Sequence, residues 1–379
     1  MLFSEVIGHT DYKTDLVQAI DHDRLSHALL LLTPEGAGGL PMAMALSQYL
    51  VCTNKQDGDA CGICAACKKA AKLVHPDIHF SYPVVPKKSG DKPISADYGK
   101  EWREFISQHP YSNIYQWLQF IGAENKQGNI TARECGEIIR TLGLKSYESE
   151  FKVMIIWRPE FLRKEGNRLL KVIEEPPQKT VFILVAEQSE NILNTILSRT
   201  QLIRMPSLTH SNLSEALIQN ESLDEKEAQR VAALADGDYN AALHIVKQDT
   251  ANYMNRLRAW LNAILGRNPG LLSQWITSFV GAKVGREEHK QFLRYFIKQL
   301  EYALLIEFNR GHDLTILPEE EKFAKNLLKF ANFFQIRDMI GYLEDACYHV
   351  ERNVNVKILF HATSIQLRAA FRAESLPIE

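Results

Sequence analysis

The sequence predicts an α/β fold continued by an all-α region: a doubly wound, mostly parallel sheet domain with helices on both faces, then helices alone. Three observations predict it. Apolar, strand-like runs alternate with helical patterns over the first half of the chain, the rhythm of a parallel sheet. The first run leads into a glycine-rich turn, Thr33-Pro34-Glu35-Gly36-Ala37-Gly38-Gly39-Leu40, and then a helical pattern, the order of elements around a phosphate-binding loop. After Pro206 the strand-like runs cease and helical periodicity alone remains.

The strand-like runs are His27 to Leu32, Lys152 to Trp157, Thr180 to Ala186 and Gln201 to Met205. A helix is expected after Pro41, where Met42, Ala45, Leu46, Tyr49 and Leu50 recur at helical spacing and proline suits a first turn. Another is expected from about Glu160 to Glu174, with Leu162, Leu169, Leu170 and Ile173 on one side and Pro176-Pro177 to stop it. Between Pro83 and Asn129 the text is irregular. Pro83, Pro86, Lys87-Lys88-Ser89-Gly90 and Pro93 mark turns, an aromatic stretch from Trp102 to Phe120 follows, and the whole reads as a surface-exposed, partly mobile insertion at about 83–129. Later helices are expected at about 211–220, 224–235 and 238–247, with Asp236-Gly237-Asp238 between the last two. The clearest lies at 286–309, where Leu293, Phe296, Ile297, Leu300 and Leu304 form an apolar stripe. The domains expected are thus a sheet domain over 1–207, a small helical domain over 208–248 and a terminal helical domain over 249–379.

At 379 residues the chain is too long for one compact domain, and 45% apolar residues suffice for ordinary cores. With 44 Lys+Arg against 46 Asp+Glu it lacks the global field that a protein capturing nucleic acid unaided would carry. No apolar stretch nears the ~20 residues that span a bilayer, and Met1-Leu2-Phe3-Ser4-Glu5 lacks a signal-peptide pattern, so the chain reads as soluble and cytoplasmic.

Four of the six cysteines, Cys52, Cys61, Cys64 and Cys67, follow the spacing C-x8-C-x2-C-x2-C. Four thiolates can close a tetrahedral zinc shell with no open position, so the expected metal is structural Zn2+ over about 52–67. An iron–sulfur cluster uses the same ligands, but nothing else in the sequence suggests electron transfer. Cys135 and Cys347 lie far from the group and read as ordinary core or surface thiols.

The glycine-rich turn lacks the groups that make such a loop bind a triphosphate. In the phosphate-loop signature a lysine reaches the β/γ-phosphates and a hydroxyl ligates magnesium. Here Gly39 stands at the lysine position, Leu40 at the hydroxyl position and Thr33 at that of the first glycine. Taken alone, Gly36, Gly38 and Gly39 equally suit a plain strand-to-helix turn. The acid pair is missing too: Trp157 takes the place of the magnesium-binding acid and Arg158 that of the catalytic glutamate. An indole cannot ligate magnesium and a guanidinium cannot accept a proton. Glu160, the nearest carboxylate, reads as a first-turn helix residue. No ATP is expected in this chain's own site.

The segments Asn167-Arg168-Leu169-Leu170-Lys171-Val172-Ile173-Glu174-Glu175-Pro176-Pro177 and Asn191-Ile192-Leu193-Asn194-Thr195-Ile196-Leu197-Ser198-Arg199-Thr200-Gln201 resemble the bacterial clamp-loader subunits of DNA polymerase III, of the AAA+ class. The resemblance covers residues 1 to about 248, and the degenerate motifs place it nearer the delta prime than the ATP-hydrolysing gamma/tau subunits. It implies a sheet domain with an inserted zinc module, a small helical lid, and a helical collar that joins a five-subunit ring. Its implied partners are gamma/tau and delta subunits, the sliding clamp and, through the complex, primer-template DNA, with no membrane. It also implies a role for Arg199. The family's Ser-Arg-Cys motif supplies an arginine to a neighbouring subunit's ATP site, and Ser198 and Arg199 match it while Thr200 replaces the cysteine. From Ser198-Arg199 alone, without the resemblance, Arg199 reads as a helix-end or surface ion-pair residue.

Lys68, Lys69 and Lys72 on the cysteine module, and Arg163, Lys164, Arg168 and Lys171 beyond it, read as solvated faces or as contacts to DNA phosphates. Two other functions fit parts of the sequence: a gamma/tau-like ATPase using unusual residues, and a stand-alone zinc-containing DNA-binding protein.

Overall fold

The structure, a computed structural model, describes residues 1–88, 90–123, 126–247, 250–266, 268–281, 285–308, 316–352 and 354–372. Ser89 of the expected turn run, and the domain boundary expected at 248/249, lie outside these. The chain forms two compact units, one of Met1–Ser222 with Asp236–Asn240 and the other of Leu223–Ala235 with Ala241–Glu379. The residues expected to form a lid of their own, 208–248, are therefore divided between the two.

The first unit is built on a five-stranded parallel sheet of order β2-β3-β4-β1-β5: β1 Ala28–Leu32, β2 Ile78–Ser81, β3 Lys152–Trp157, β4 Thr180–Ala186 and β5 Gln201–Arg204. Alternate strand residues serve opposite faces, as a two-residue period demands. Leu29, Leu31, Val153, Ile155, Ile183 and Val185 join the core on one face, and Leu30, Met154, Ile156, Phe182 and Leu184 the core on the other. This gives the near-continuous apolar text of β1, β3 and β4, which are buried along their whole length. Helices α1 (Thr10–Asp21), α2 (Gly39–Val51), α3 (Ala65–Ala71), α4 (Gly99–Gln108), α5 (Ile114–Phe120), α6 (Ala132–Gly143), α7 (Leu170–Glu174), α8 (Asn194–Leu197) and α9 (His210–Glu221) complete the unit. All thirteen residues of α2 are buried.

Two expectations require correction. The helix expected from Glu160 to Glu174 is a 3-10 helix over Pro159–Leu169 followed by the short α7, broken at Arg163, whose φ of 48° and ψ of −137° no α-helix accommodates. The segment 83–129 is not a surface insertion. Trp102, Phe105, Ile106 and Trp117 from it are buried, Tyr82 stacks on Trp102 at 3.8 Å, and Trp102 packs on Trp157 of the sheet at 5.3 Å. Its backbone is tied in as well: the Trp117 indole N–H donates to the Pro83 carbonyl at 2.8 Å, and Val84 and Asn129 form an antiparallel bridge. Aromatic side chains this large find their free energy in burial, and the prolines only break up the backbone between them.

The second unit is helical: α10 (Glu225–Ala235), α11 (Tyr239–Lys247, its first residues in the first unit), α12 (Thr250–Leu265), α13 (Pro269–Gly281), α14 (Arg286–Glu307), α15 (Pro318–Leu327), α16 (Phe333–Glu351) and α17 (Val356–Arg372). Leu293, Phe296 and Leu300 of the expected stripe are buried and Ile297 and Leu304 partly so, around Trp260, whose indole N–H donates to Ser364 Oγ at 2.9 Å. No helix among the described residues is long and apolar enough to cross a membrane.

Trp117→Ala is expected to cost about 3–5 kcal/mol of stability, the range for emptying a buried aromatic site. Urea unfolding of the full chain checks it. A loss below about 1 kcal/mol is what an exposed position would give.

Candidate functional site

The turn after β1 is closed from several sides. Gly36 and Gly38 have φ of 66° and 97°, where a side chain is strained. A Cβ on Gly36 would overlap the Asp238 carboxylate, and one on Gly38 would lie 3.1 Å from the Tyr111 ring. At Gly39, the position of the missing lysine, a Cβ would come within 2.7 Å of Thr33 Cγ2 and 3.0 Å of Val185 Cγ1. The Tyr239 N–H donates to the Gly36 carbonyl at 3.2 Å, and His9 Nε2 lies 2.7 Å from the Ala37 carbonyl. Burial lowers the His9 pKa, against the hydrogen bond to Ala37, which raises it.

Gly36, Gly38, Gly39, Trp157 and Arg158, read in sequence as degenerate positions of one site, do line one cavity, along with Tyr111, Val185 and Glu187. Its volume is about 30 Å³, room for a water or two and roughly a tenth of a small-molecule pocket. Trp157 serves packing, against Trp102.

Arg158 closes the ends of the strands. It follows β3 in the left-handed region, with φ of 61°, and its backbone N–H donates to the Val185 carbonyl at 2.9 Å, prolonging the ladder to β4. Its guanidinium pairs with Glu187, at the end of β4, through Nη1 and stands 3.8 Å from Glu160 through Nε. Glu160 also accepts the backbone N–H groups of Glu187 at 2.8 Å and Gln188 at 3.2 Å, so it ties the chain after β3 to the chain after β4. Burial works against the Arg158 charge, but Glu187 and Glu160 more than offset it and raise its pKa. Burial raises Glu187 above the ordinary carboxylate range, to about 7, with Arg158 pulling it down and Glu35 and Glu160 pushing it up. Glu187 and Glu160 thus flank the guanidinium, and Glu35 adds to the field on it and on Glu187. Sequence reading missed Glu35 and Glu187; the signal was a carboxylate just after each of two buried strands. Glu160, read there as a first-turn helix residue, does stand in the first turn after Pro159, and it also ties the two strand ends.

The four cysteines converge. Cys52 ends α2, Cys61 and Cys64 flank a tight turn at Gly62, and Cys67 lies in α3. Their sulfur atoms all lie within 4.8 Å of one another, with Cys52–Cys61 at 3.7 Å and Cys61–Cys67 at 4.0 Å. A tetrahedral zinc–thiolate centre with ~2.3 Å bonds sets its sulfurs about 3.8 Å apart, so the donor set fits a metal ion of this kind. The backbone N–H groups of Cys61, Cys64 and Cys67 point at the sulfurs of Cys52, Cys61 and Cys64 at 3.3–3.4 Å, the geometry that stabilises thiolates. Asp59 anchors the module to the start of the chain by accepting the N–H groups of Phe3 and Ser4, each at 2.9 Å.

Ser198, Arg199 and Thr200 form the turn between α8 and β5, and Arg199 does not line the cavity. The Thr200 hydroxyl donates to the Ile196 and Leu197 carbonyls at 3.2 and 3.3 Å, holding the turn as a last helical capping bond would. Arg199 donates from Nε to Glu174 Oε2 at 2.7 Å, and from Nη1 to the Thr195 carbonyl at 3.1 Å and Ser198 Oγ at 3.4 Å.

The profile of the family described as DNA polymerase III, delta subunit, matches residues 8–209, more than half of the chain. The chain is 26% identical over 206 residues to the DNA polymerase III subunit delta' of Bacillus subtilis, a match covering 54% of this chain and 50% of that protein. It is 27% identical over 190 residues to the delta' subunit of Escherichia coli, covering 49% and 44%, and 26% identical over 201 residues to the gamma/tau subunit of Mycobacterium tuberculosis, covering 52% and 27%. The chain spans about half the length of the delta' relatives it matches. A solved gamma subunit-related protein of Thermotoga maritima aligns over 95% of this chain and 99% of its own, at 14% identity and a TM-score of 0.39.

Arg158→Met tests the electrostatics of the strand ends. Glu187 holds its proton more tightly folded than unfolded, so its contribution to stability is greatest below the unfolded carboxylate value and declines as pH rises toward about 7. Without Arg158 the decline extends to higher pH. The variant is expected to lose about 3–5 kcal/mol at pH 8, the cost of breaking a buried pair, and clearly less at pH 5. Urea unfolding at the two pH values checks this, and equal losses would refute it.

Proposed function

This chain belongs to the DNA polymerase III delta subunit family, among the clamp-loader subunits called delta prime and gamma/tau, and from that premise we propose that it is a non-catalytic, delta prime-like member. In this reading it joins gamma/tau and delta subunits in a ring, helps the ATP-driven loading of the sliding clamp onto primed DNA, and hydrolyses no ATP itself. The observation that carries the reading is the filled strand-end site: the would-be lysine position is packed against Thr33 and Val185, and Arg158, held by Glu187 and Glu160, stands where metal and triphosphate would bind. A cavity of about 30 Å³, lined by an arginine and a glutamate that already pair with each other, leaves neither the room nor the free cation that a triphosphate needs.

Arg199 supports the second half of the proposal. It acts in trans, on ATP held by a neighbouring gamma/tau subunit, where a guanidinium meeting the charge that develops on the γ-phosphate is worth ~10³ to 10⁵ in rate. The competing gamma/tau-like ATPase reading is disfavoured by the same filled site. A stand-alone DNA-binding role is disfavoured by the near balance of charge, 44 basic against 46 acidic residues. The four cysteines, in this reading, hold a structural zinc ion that folds α3 against the end of α2 and leaves no position open for chemistry.

In the assembled complex Arg199→Ala is expected to slow hydrolysis at the site it faces by ~10³-fold, read as a severalfold fall in total DNA-stimulated ATP turnover, with assembly intact. Unchanged turnover would remove the trans role, and ATP hydrolysis by the isolated chain at a motor's rate would remove the non-catalytic one. Metal analysis of the purified chain is expected to find about one zinc per molecule, and its removal by a chelator is expected to lower the melting temperature.

A further inference from the structure

We propose that Glu174 is a positioning residue for Arg199, holding the guanidinium so that its outer edge is presented to the neighbouring subunit; this rests on the trans role proposed for Arg199. The guanidinium is gripped on one side only. Glu174 takes the Nε proton at 2.7 Å, and the Thr195 carbonyl and Ser198 Oγ take Nη1. Among the described residues no hydrogen bond or ion pair engages Nη2.

That pattern suits presentation rather than sequestration. A carboxylate that sequestered Arg199 would take the two-pronged Nη1/Nη2 or Nε/Nη2 edge, the geometry that carboxylates and phosphates share. Instead Nε is occupied, and Nη2, with the free direction of Nη1, remains for a phosphate oxygen. The Arg199 side chain is 33% exposed and that of Glu174 57% exposed, so the pair is weak enough not to compete with a triphosphate yet restrains a long, flexible side chain.

Local helix stability does not account for Glu174. It is the last residue of α7, with Glu175 beside it, and carboxylates at the C-terminal end of a helix oppose the dipole and the unsatisfied carbonyls there. Its placement costs α7 a little stability and gives Arg199 a fixed direction. Pre-aligned donors cost no reorganisation when charge develops, so the effect belongs to the rate of the chemical step rather than to ATP affinity.

The test is single-turnover ATP hydrolysis by the assembled complex with clamp and primed DNA. Arg199→Ala identifies the kinetic phase that Arg199 serves by abolishing it. Glu174→Ala is expected to slow that phase roughly two- to fivefold, the range an exposed pair of this kind reaches, with the concentration of ATP giving half-maximal rate unchanged. Glu174→Gln, which keeps a carbonyl acceptor for Nε but not the charge, is expected to fall between Glu174→Ala and the parent. Added to Arg199→Ala, the Glu174→Ala change is expected to slow nothing further. A parental rate for that phase in Glu174→Ala, or an additional loss in the double variant, would overturn the positioning role while leaving the trans role of Arg199 intact. If Arg199→Ala abolishes no phase, the trans role itself has failed and the positioning role with it.

Discussion

In the first unit, the carboxyl ends of two adjacent parallel strands have to be satisfied by something, and here that something is the Arg158–Glu187 ion pair. A parallel sheet delivers its strand ends to one edge, and the crevice outside that edge is where such folds ordinarily receive a ligand. In this chain β3 ends in Arg158, β4 runs into Glu187, and Glu160 accepts the backbone N–H groups just beyond β4. The protein's own charges thus meet one another at that edge. The glycine turn after β1 folds down against Asp238, Tyr111 and Tyr239.

What the sequence reveals and conceals follows from the same physics. β1, β3 and β4 are legible because strands buried on both faces must be apolar at every position, and their expected ends differ from the observed ones by at most a residue. β2 is concealed: it is four residues long at the sheet edge, with His79 and Ser81 interrupting the apolar text. Spacing alone brings Cys52, Cys61, Cys64 and Cys67 together, since three short gaps leave the sulfurs few places to go. The aromatic segment 83–129 misleads because its prolines suggest a loop while its tryptophans belong to the core. The break at Arg163 is invisible to periodicity, because Leu162 and Leu169 are both buried on either side of it. Arg158 is found at its place by aligning β3, with Glu160 two residues on, but its partner Glu187 comes from beyond β4 and only the fold brings the two together.

The cysteine module and the turn at Arg199 show two ways of holding an irregular segment still. Around the cysteines, backbone N–H groups point at sulfur, and Asp59 fastens the module to residues Phe3 and Ser4. Around Arg199, a threonine hydroxyl caps a four-residue helix and a carboxylate from α7 meets the guanidinium. In both, polar geometry adds to the apolar packing beneath it and fixes the direction of backbone that no helix or strand holds.

The segment Asp236–Asn240 belongs to the first unit although its flanking residues on both sides belong to the second. Asp238 fills the space beside Gly36, Tyr239 donates to the Gly36 carbonyl, and Asn240 accepts from Gln116 Nε2 at 2.9 Å. A ribosome making this chain therefore releases the sheet, its helices and the glycine turn long before it releases the five residues that finish them. Nascent chains stalled short of residue 236 would carry an unfinished sheet unit, and no single cut in the polypeptide yields both units whole.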